Sequence, residues 1–164
     1  MARRGERKNI AEDLIAFRPD VIVGGGRKYF TAPKYTDVNL VEKAKDAGFT
    51  YVGSPEEFYT TRATPILGLF DDGQEIEATQ TDSDLLTDLA GHTLEIIGAN
   101  KHGFFAMFEG SLIDHAAHAN NTEDVIWRME AFDKLVNSAF DYADAHEGTL
   151  VIVTADHETG GVSL

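Results

Sequence analysis

The sequence predicts an α/β fold with a mostly parallel central sheet flanked by helices. Short apolar runs rich in β-branched or aromatic residues alternate with longer amphipathic segments, a pattern typical of strand–helix–strand units. Two of these runs, residues 104–108 and 150–154, stand on either side of a helical pattern that extends from about Thr122 to His146. A strand, a long helix and a second strand form a right-handed crossover, so the two strands are predicted to be parallel.

The composition is typical of a globular domain. The chain has 164 residues, of which 43% are hydrophobic and 26% charged, enough for one domain with a core. A formal net charge of -14 argues against nucleic acid or an anionic membrane as a partner. The lack of cysteine excludes disulfides and thiolate metal ligands. The N-terminal residues are basic, but no apolar segment follows them, so neither a signal peptide nor a membrane span is predicted.

The first predicted helix, residues 10–17, is ended by a proline, and residues 21–23 form a strand that runs into three glycines. A glycine run after a strand is also found in phosphate-binding loops. A dinucleotide-binding loop, however, needs glycine at the position of Tyr29 and a helix after it, whereas Pro33 follows closely. The sequence therefore predicts a tight turn here and no nucleotide site.

The next predicted elements are a helix at residues 39–47 and a short strand at Thr50–Val52. Ser54 is followed three positions later by Glu57, the capping-box spacing that begins a helix. Residues 65–70 form a further apolar run, which predicts another strand.

A polar stretch precedes the second half of the chain. A turn at residues 71–73 leads into residues 74–80, which predict an exposed loop. Asp82 or Ser83 is a suitable N-cap for the helix that follows. The apolar residues that mark this helix are Leu85, Leu86, Leu89, Leu94, Ile96 and Ile97.

A possible metal site begins where the run at residues 104–108 ends. This run is short, aromatic and bounded by glycine, which predicts a strand buried on both faces. Glu109 follows it directly, and Asp114 and His118 are four positions apart, on one face of a helical turn. Carboxylate oxygen and imidazole nitrogen together suit zinc or a similar divalent ion. The alternative is a solvent-facing glutamate and an Asp–His pair that supports the start of a helix.

The predicted helix from about Thr122 to His146 is amphipathic. Trp127 lies one position off its apolar stripe and is expected to pack. Three histidines outside the metal-site motifs, at positions 92, 102 and 146, are interpreted as ordinary surface or packing residues. The stripe itself, at alternating steps of four and three, consists of Val125, Met129, Phe132, Val136, Ala139 and Ala143.

The second apolar run, residues 150–154, also ends in candidate ligands. Asp156 and His157 follow it, and a glycine pair comes after them. Because parallel strands joined by a crossover have their carboxyl ends at one edge of the sheet, sites form along that edge. We therefore expect five side chains from the two motifs to converge on a metal site: Glu109, Asp114, His118, Asp156 and His157.

Both motifs closely resemble the metal-binding segments of the alkaline phosphatase family. The residues that carry the resemblance are E-G-S-L-I-D-H-A-A-H, at positions 109–118, and V-T-A-D-H-E-T-G-G, at positions 153–161. Two upstream stretches are similar as well, R-G-E-R-K-N-I-A-E-D-L and D-V-I-V-G-G-G-R-K-Y-F. The resemblance covers most of the chain and implies that it forms part of a three-layer α/β/α domain.

The resemblance implies two-metal phosphoryl transfer, in which a serine attacks a phosphate monoester. Asp114 and His118 match the ligands of the zinc ion that receives the leaving group and later activates water. Asp156 and His157 match the ligands of the zinc ion that deprotonates the serine. Glu109 matches a magnesium ligand, in keeping with the preference of that ion for oxygen.

The resemblance also implies properties beyond the metal site. His115 occupies a position where a basic residue helps to hold phosphate, commonly through water. The parent protein is expected to be periplasmic or extracellular. Because a part of this domain would leave strand edges and apolar faces uncovered, the isolated chain is expected to self-associate, as a homodimer or otherwise.

Two parts of the family pattern have no counterpart in these residues: the D-S-A-type motif with the nucleophilic serine, and a final histidine ligand. Residues 1–164 are therefore expected to be a partial domain that lacks the N-terminal nucleophile segment and the C-terminal ligand segment, and to be inactive alone. One alternative is part of a related phosphodiesterase or sulfatase-type metalloenzyme. Another, of a different class, is a non-catalytic acidic domain that binds metal.

Overall fold

The computed structural model describes residues 6–72 and 84–161, which form an α/β fold. These residues divide into two compact units. Unit 1 comprises residues 6–72 and 95–104, and it contains a parallel β-sheet. Unit 2 comprises residues 84–94 and 105–161, and it contains both of the carboxylate–histidine motifs.

The elements of unit 1 alternate between helix and strand, as the sequence pattern predicts. The described residues form a three-stranded sheet with the strand order β1-β3-β2, and both pairings are parallel. The central strand β3 pairs Ile66 with Val21 on one side and with Thr50 on the other. In chain order the elements are α1 (Arg7–Phe17), β1 (Val21–Gly24), α2 (Arg27–Thr31), α3 (Leu40–Asp46), β2 (Thr50–Val52), α4 (Pro55–Thr60) and β3 (Ile66–Leu69).

The core of unit 1 forms around the central strand, all four residues of which are buried. Alternate residues of a strand point to opposite faces of the sheet. Leu67 and Leu69 belong to one cluster with residues of α1, α2 and α3, including Leu40. On the other face a side chain at Gly68 would come within 2.9 Å of the Phe70 ring, so glycine is needed there.

Most predicted elements of unit 1 are confirmed to within a few residues. The N-terminus of α4 forms as expected, because Ser54 Oγ accepts a hydrogen bond from the Glu57 amide. The turn after β1 differs from the prediction because a helix, α2, does follow the glycines. Gly26 adopts a φ of 85°, which reverses the chain and allows the helix to begin at Arg27. The helix ends at Thr31, so Pro33 does not obstruct it.

The regular secondary structure that the described residues of unit 2 form is helical. Helix α5 (Leu85–Ile97) begins in this unit, and it is followed by α6 (Leu112–His118) and α7 (Thr122–Ala145). The predicted loop at residues 74–80 and the predicted cap at Asp82 or Ser83 lie outside the described residues. Among the described helices, none has both the length and the hydropathy needed to cross a membrane.

The prediction of strands at residues 104–108 and 150–154 is wrong. Neither stretch forms strand pairs in the described part of the chain. Their side chains are also exposed rather than buried, with Phe105 at 90% and Leu150 at 81% of full exposure. An apolar run indicates a tendency to be buried, but a strand also needs a neighbour to share its backbone hydrogen bonds, and the described residues supply none here.

The buried face of α7 is displaced from the predicted stripe. Ala131 and Leu135 are its buried residues, whereas Met129 in the predicted stripe is 49% exposed. A shift of one residue along a helix turns its face by roughly 100°. Helix α6 packs against α7. Phe132 of the predicted stripe does cover the chain just before α6, but the buried residues of α7 lie one position earlier in the sequence.

Candidate metal centre

Helix α6 places the first carboxylate–histidine pair side by side. The Nε2 atom of His118 lies 3.6 Å from Oδ2 of Asp114. The Asp114 side chain is 33% exposed and that of His118 is 71% exposed, so the carboxylate is the inner member of the pair. The predicted spacing of four residues on one face of a helix is thus confirmed.

The second pair lies in the loop that contains Asp156 and His157. Their side chains approach to 3.2 Å, between Oδ2 of Asp156 and Nε2 of His157. The Nδ1 atom of His157 lies 2.8 Å from the carbonyl oxygen of Glu158. A carbonyl oxygen only accepts, so Nδ1 carries the hydrogen, and in the neutral ring the lone pair is on Nε2. Oδ2 of Asp156 and the lone pair on Nε2 of His157 then face each other. A proton or a metal cation between these two atoms would stabilise that arrangement.

A threonine hydroxyl connects the two motifs. Thr159 Oγ1 donates a hydrogen bond to Oδ1 of Asp114, a residue 45 positions earlier in the chain. The same hydroxyl oxygen lies 3.3 Å from Nδ1 of His157. Unit 2 therefore brings Asp114 and His157 to the two sides of one hydroxyl group.

The surroundings of Asp114 favour its ionised form. The hydrogen bond from Thr159 is the main cause that lowers the pKa of Asp114, and partial burial opposes it. Positive charge on His118, His157 or His115 lowers this pKa further. An ionised carboxylate is the form that binds metal, so the carboxyl group is ready to act as a ligand at neutral pH.

Not every predicted ligand joins these pairs. Glu109 is exposed and, among the described residues, makes no hydrogen bond or ion pair with the other four. His115 lies on α6 and is exposed, and its charge acts on Asp114. In residues 6–72 and 84–161, no three histidine, aspartate or glutamate side chains are arranged around one ion. The structure thus supplies two neighbouring pairs of donors rather than one closed site.

The chemistry and the spacing of these pairs fit a divalent metal. Neighbouring ligands on a tetrahedral zinc ion with bonds of about 2.0–2.1 Å lie roughly 3.3 Å apart. The separations of 3.2 and 3.6 Å in the two pairs are close to that distance. Each pair therefore fits one edge of a zinc coordination shell, and further ligands are needed to complete it.

The sequence interpretation missed two residues that shape the site, Thr159 and Gly110. Thr159 lies in the second motif, two positions after His157 and beside the glycine pair. This position is the only sequence feature that distinguishes it. Gly110 follows Glu109, and a Cβ atom at that position would lie 2.8 Å from the Phe132 ring. The ring contact that excludes a side chain there comes from α7 and cannot be recognised in the sequence.

The described residues thus combine a parallel α/β sheet with two carboxylate–histidine pairs. All 164 residues match the family model described as alkaline phosphatase. The chain therefore belongs to the alkaline phosphatase family.

Individual relatives agree with this assignment. Alkaline phosphatase 4 of Bacillus subtilis is 38% identical over 147 residues, which are 88% of this chain and 31% of that protein. The alkaline phosphatase of the Antarctic bacterium TAB5 superimposes with a TM-score of 0.88 at 31% identity, covering 98% of this chain and 48% of that one. A TAB5 variant solved with Mg bound in its M3 site has a TM-score of 0.85, again at 31% identity, and the match covers 98% of this chain and 47% of that one. This chain thus spans between about a third and a half of the length of these relatives.

Proposed function

We propose that the whole protein is a metal-dependent phosphomonoesterase that hydrolyses phosphate monoesters by the alkaline phosphatase reaction. The observation that carries this proposal is the arrangement in unit 2, where Thr159 joins an Asp–His pair on α6 to an Asp–His pair in a distant loop. Membership of the family supports it. Residues 1–164 are then part of one larger domain, and the serine nucleophile and the last histidine ligand belong to segments outside them.

We assign the ligands in the proposed site as follows. Asp114 and His118 hold one zinc ion, Asp156 and His157 hold a second, and Glu109 contributes to a magnesium site. When bound, the two zinc ions would supply Lewis acidity to the attacking and the leaving oxygen of an in-line displacement. The magnesium assignment is supported by the TAB5 variant that binds Mg in its M3 site.

The protein groups have distinct tasks in this proposal. Asp114 stays ionised and directs Oδ2 towards His118, while the Nδ1 hydrogen of His157 leaves Nε2 free of hydrogen for a metal. His115 lies one residue after Asp114 on an exposed face of α6 and binds the substrate phosphate, directly or through water. A periplasmic or extracellular location is part of the proposal and rests on the family resemblance.

Zinc titration of single-residue variants tests the two-site arrangement. The wild-type chain should bind zinc weakly, because each ion retains two of the three or four protein ligands that zinc sites use. Asp114→Ala and Asp156→Ala should each weaken one class of zinc binding and leave the other largely intact, since the two pairs lie on separate segments. Isothermal titration calorimetry measures both classes. Asp46→Ala, which removes an exposed carboxylate at the end of α3 in unit 1, is the matched control and should bind zinc like the wild type.

One result would contradict the proposal. If zinc binds with nanomolar affinity and both aspartate variants lose that binding equally, the two pairs form one closed site. A closed site leaves no position open for phosphate. The chain would then be a non-catalytic metal-binding domain.

A further inference from the structure

We propose that Thr159 is a positioning residue for the metal centre. Its hydroxyl group orients Asp114 so that Oδ2 faces His118, and it orients His157 so that Nε2 faces Asp156. The inference rests on the proposed function, because it takes these two side chains to be ligands. It adds a role for a residue that contributes no metal ligand itself.

The first observation is the choice of oxygen on Asp114. Thr159 donates its one hydroxyl hydrogen to Oδ1. The other oxygen, Oδ2, is the one that lies 3.6 Å from Nε2 of His118. The hydroxyl therefore holds the carboxylate in a rotamer that directs one defined oxygen towards its histidine partner.

The second observation is the tautomer of His157. Its Nδ1 atom has two acceptors nearby, the Glu158 carbonyl oxygen at 2.8 Å and the Thr159 hydroxyl oxygen at 3.3 Å. Because the hydroxyl hydrogen is already given to Asp114, the hydroxyl oxygen can only accept here. Both acceptors favour hydrogen on Nδ1, which leaves Nε2 as the donor atom, 3.2 Å from Asp156.

The third observation is how the loop holds Thr159 against α6. Gly160 and Gly161 have φ values of 79° and 65°, which favour glycine. The Gly161 amide donates to the Glu158 carboxylate at 2.7 Å and closes the loop. A Cβ atom at Gly160 would lie 3.6 Å from the Ala117 carbonyl oxygen, so the loop touches the last turn of α6. The backbone thus directs the half-buried Thr159 side chain at Asp114.

Two substitutions separate the hydroxyl group from the shape of the side chain. Thr159→Val keeps the shape and removes the hydroxyl, whereas Thr159→Ser keeps the hydroxyl. Loss of a group that orients a metal ligand weakens metal affinity by about 10–100-fold. We therefore expect Thr159→Val to bind zinc about 10–100-fold more weakly than the wild-type chain and Thr159→Ser to bind close to wild type.

The measurement is calorimetric titration of the 164-residue chain with zinc ions alone. Thr154→Val is the matched control, because the Thr154 hydroxyl is exposed and donates to the adjacent Ala155 carbonyl rather than to a candidate ligand. Hydrogen exchange of the backbone amides at residues 158–161, measured without metal, provides an independent readout. Exchange should be faster in Thr159→Val than in the wild type and should recover in Thr159→Ser.

The outcomes are distinct. Wild-type zinc affinity in Thr159→Val, or an equal loss in the valine and serine variants, overturns the role of the hydroxyl while leaving the proposed metal site intact. If the wild-type chain binds no zinc, the metal site fails in this chain, and the exchange data then decide. In that case, unchanged exchange in Thr159→Val would overturn the positioning role as well. Faster exchange in Thr159→Val but not in Thr159→Ser would support the hydroxyl link to α6.

Discussion

Gly110 controls how closely the chain before α6 approaches α7. Its built Cβ atom would lie 2.8 Å from Cδ2 of Phe132 and 3.1 Å from Cδ1 of Ile113. The Phe132 atoms that this Cβ would meet include Cγ, which joins the ring to the rest of the side chain. The contact is therefore not with a flexible side-chain end that could move aside. The lack of a side chain at Gly110 therefore sets the position from which α6 starts and presents Asp114.

We expect Gly110→Ala to destabilise the protein by about 1–3 kcal/mol, the usual cost of forcing extra atoms into a packed site. Urea unfolding followed by circular dichroism measures this change. Gly91→Ala is the matched control, because Gly91 lies within α5 and a Cβ atom there meets nothing within 4 Å. That control should stabilise the protein by about 0.4–1 kcal/mol, since alanine favours the helix. Equal midpoints for Gly110→Ala and the wild type would show that the ring yields without cost.

Among the helices and strands, the connection between α6 and α7 determines how the carboxylate–histidine pair of α6 is held. Asn120 adopts a φ of 52°, and the Asn121 amide donates to the Ala116 carbonyl at 3.1 Å. The Asn121 side chain then caps α7 by accepting from the Asp124 amide at 3.2 Å. Three residues thus end one helix and begin the next, which keeps Asp114 and His118 close to α7.

The apolar stretches at residues 104–108 and 150–154 expose large hydrophobic side chains to solvent. Unit 2 presents Phe105 at 90% and Ile152 at 76% exposure, together with Met107, Leu150 and Val153. Exposed apolar side chains favour association with another chain. We therefore expect these stretches to make the isolated 164-residue chain self-associate, as a homodimer or a larger species.

Sedimentation velocity across a range of concentrations tests this inference. The wild-type chain should show a sedimentation coefficient that rises with concentration, and the double variant Phe105→Ser, Ile152→Ser should remain closer to a monomer. Phe17→Ser is the matched control, because Phe17 is 83% exposed but lies on α1 in unit 1. A monomer at every concentration for the wild-type chain would show that the two stretches do not mediate association.

At the scale of the whole molecule, the chain spans less than half the length of the relatives reported above. Its 164 residues contain no D-S-A motif to supply the serine nucleophile. Without the nucleophile, metal binding and electrostatic stabilisation are the only sources of catalysis that remain. The full reaction is therefore proposed for the whole protein and not for this chain alone.

We expect the 164-residue chain not to hydrolyse p-nitrophenyl phosphate above the blank rate, with or without added zinc and magnesium. Release of nitrophenol measured by absorbance provides the test. A phosphate diester and a sulfate ester serve as parallel substrates, because a related phosphodiesterase or sulfatase would prefer one of them. Saturable, metal-dependent release of nitrophenol from the monoester would contradict the prediction and show that these residues contain a complete catalytic site.

Much of the fold could be predicted from local sequence. The strand Thr50–Val52 and the cap at Ser54 follow from the apolar pattern and from a side chain that bonds to a nearby amide. The spacing of Asp114 and His118 likewise follows from the geometry of one helical turn. These features depend on residues within a few positions of each other, so the sequence was sufficient for them.

Other features depend on residues far apart in the chain, and the folded structure was needed to find them. Whether residues 104–108 and 150–154 pair as strands, and which face of α7 is buried, depend on which surfaces meet in three dimensions. The hydrogen bond from Thr159 to Asp114 spans 45 positions, and no periodicity in the sequence encodes it. Local patterns indicate which side chains tend to be buried or to bind metal. Tertiary packing selects which atoms face each other, because each such contact depends on both partners.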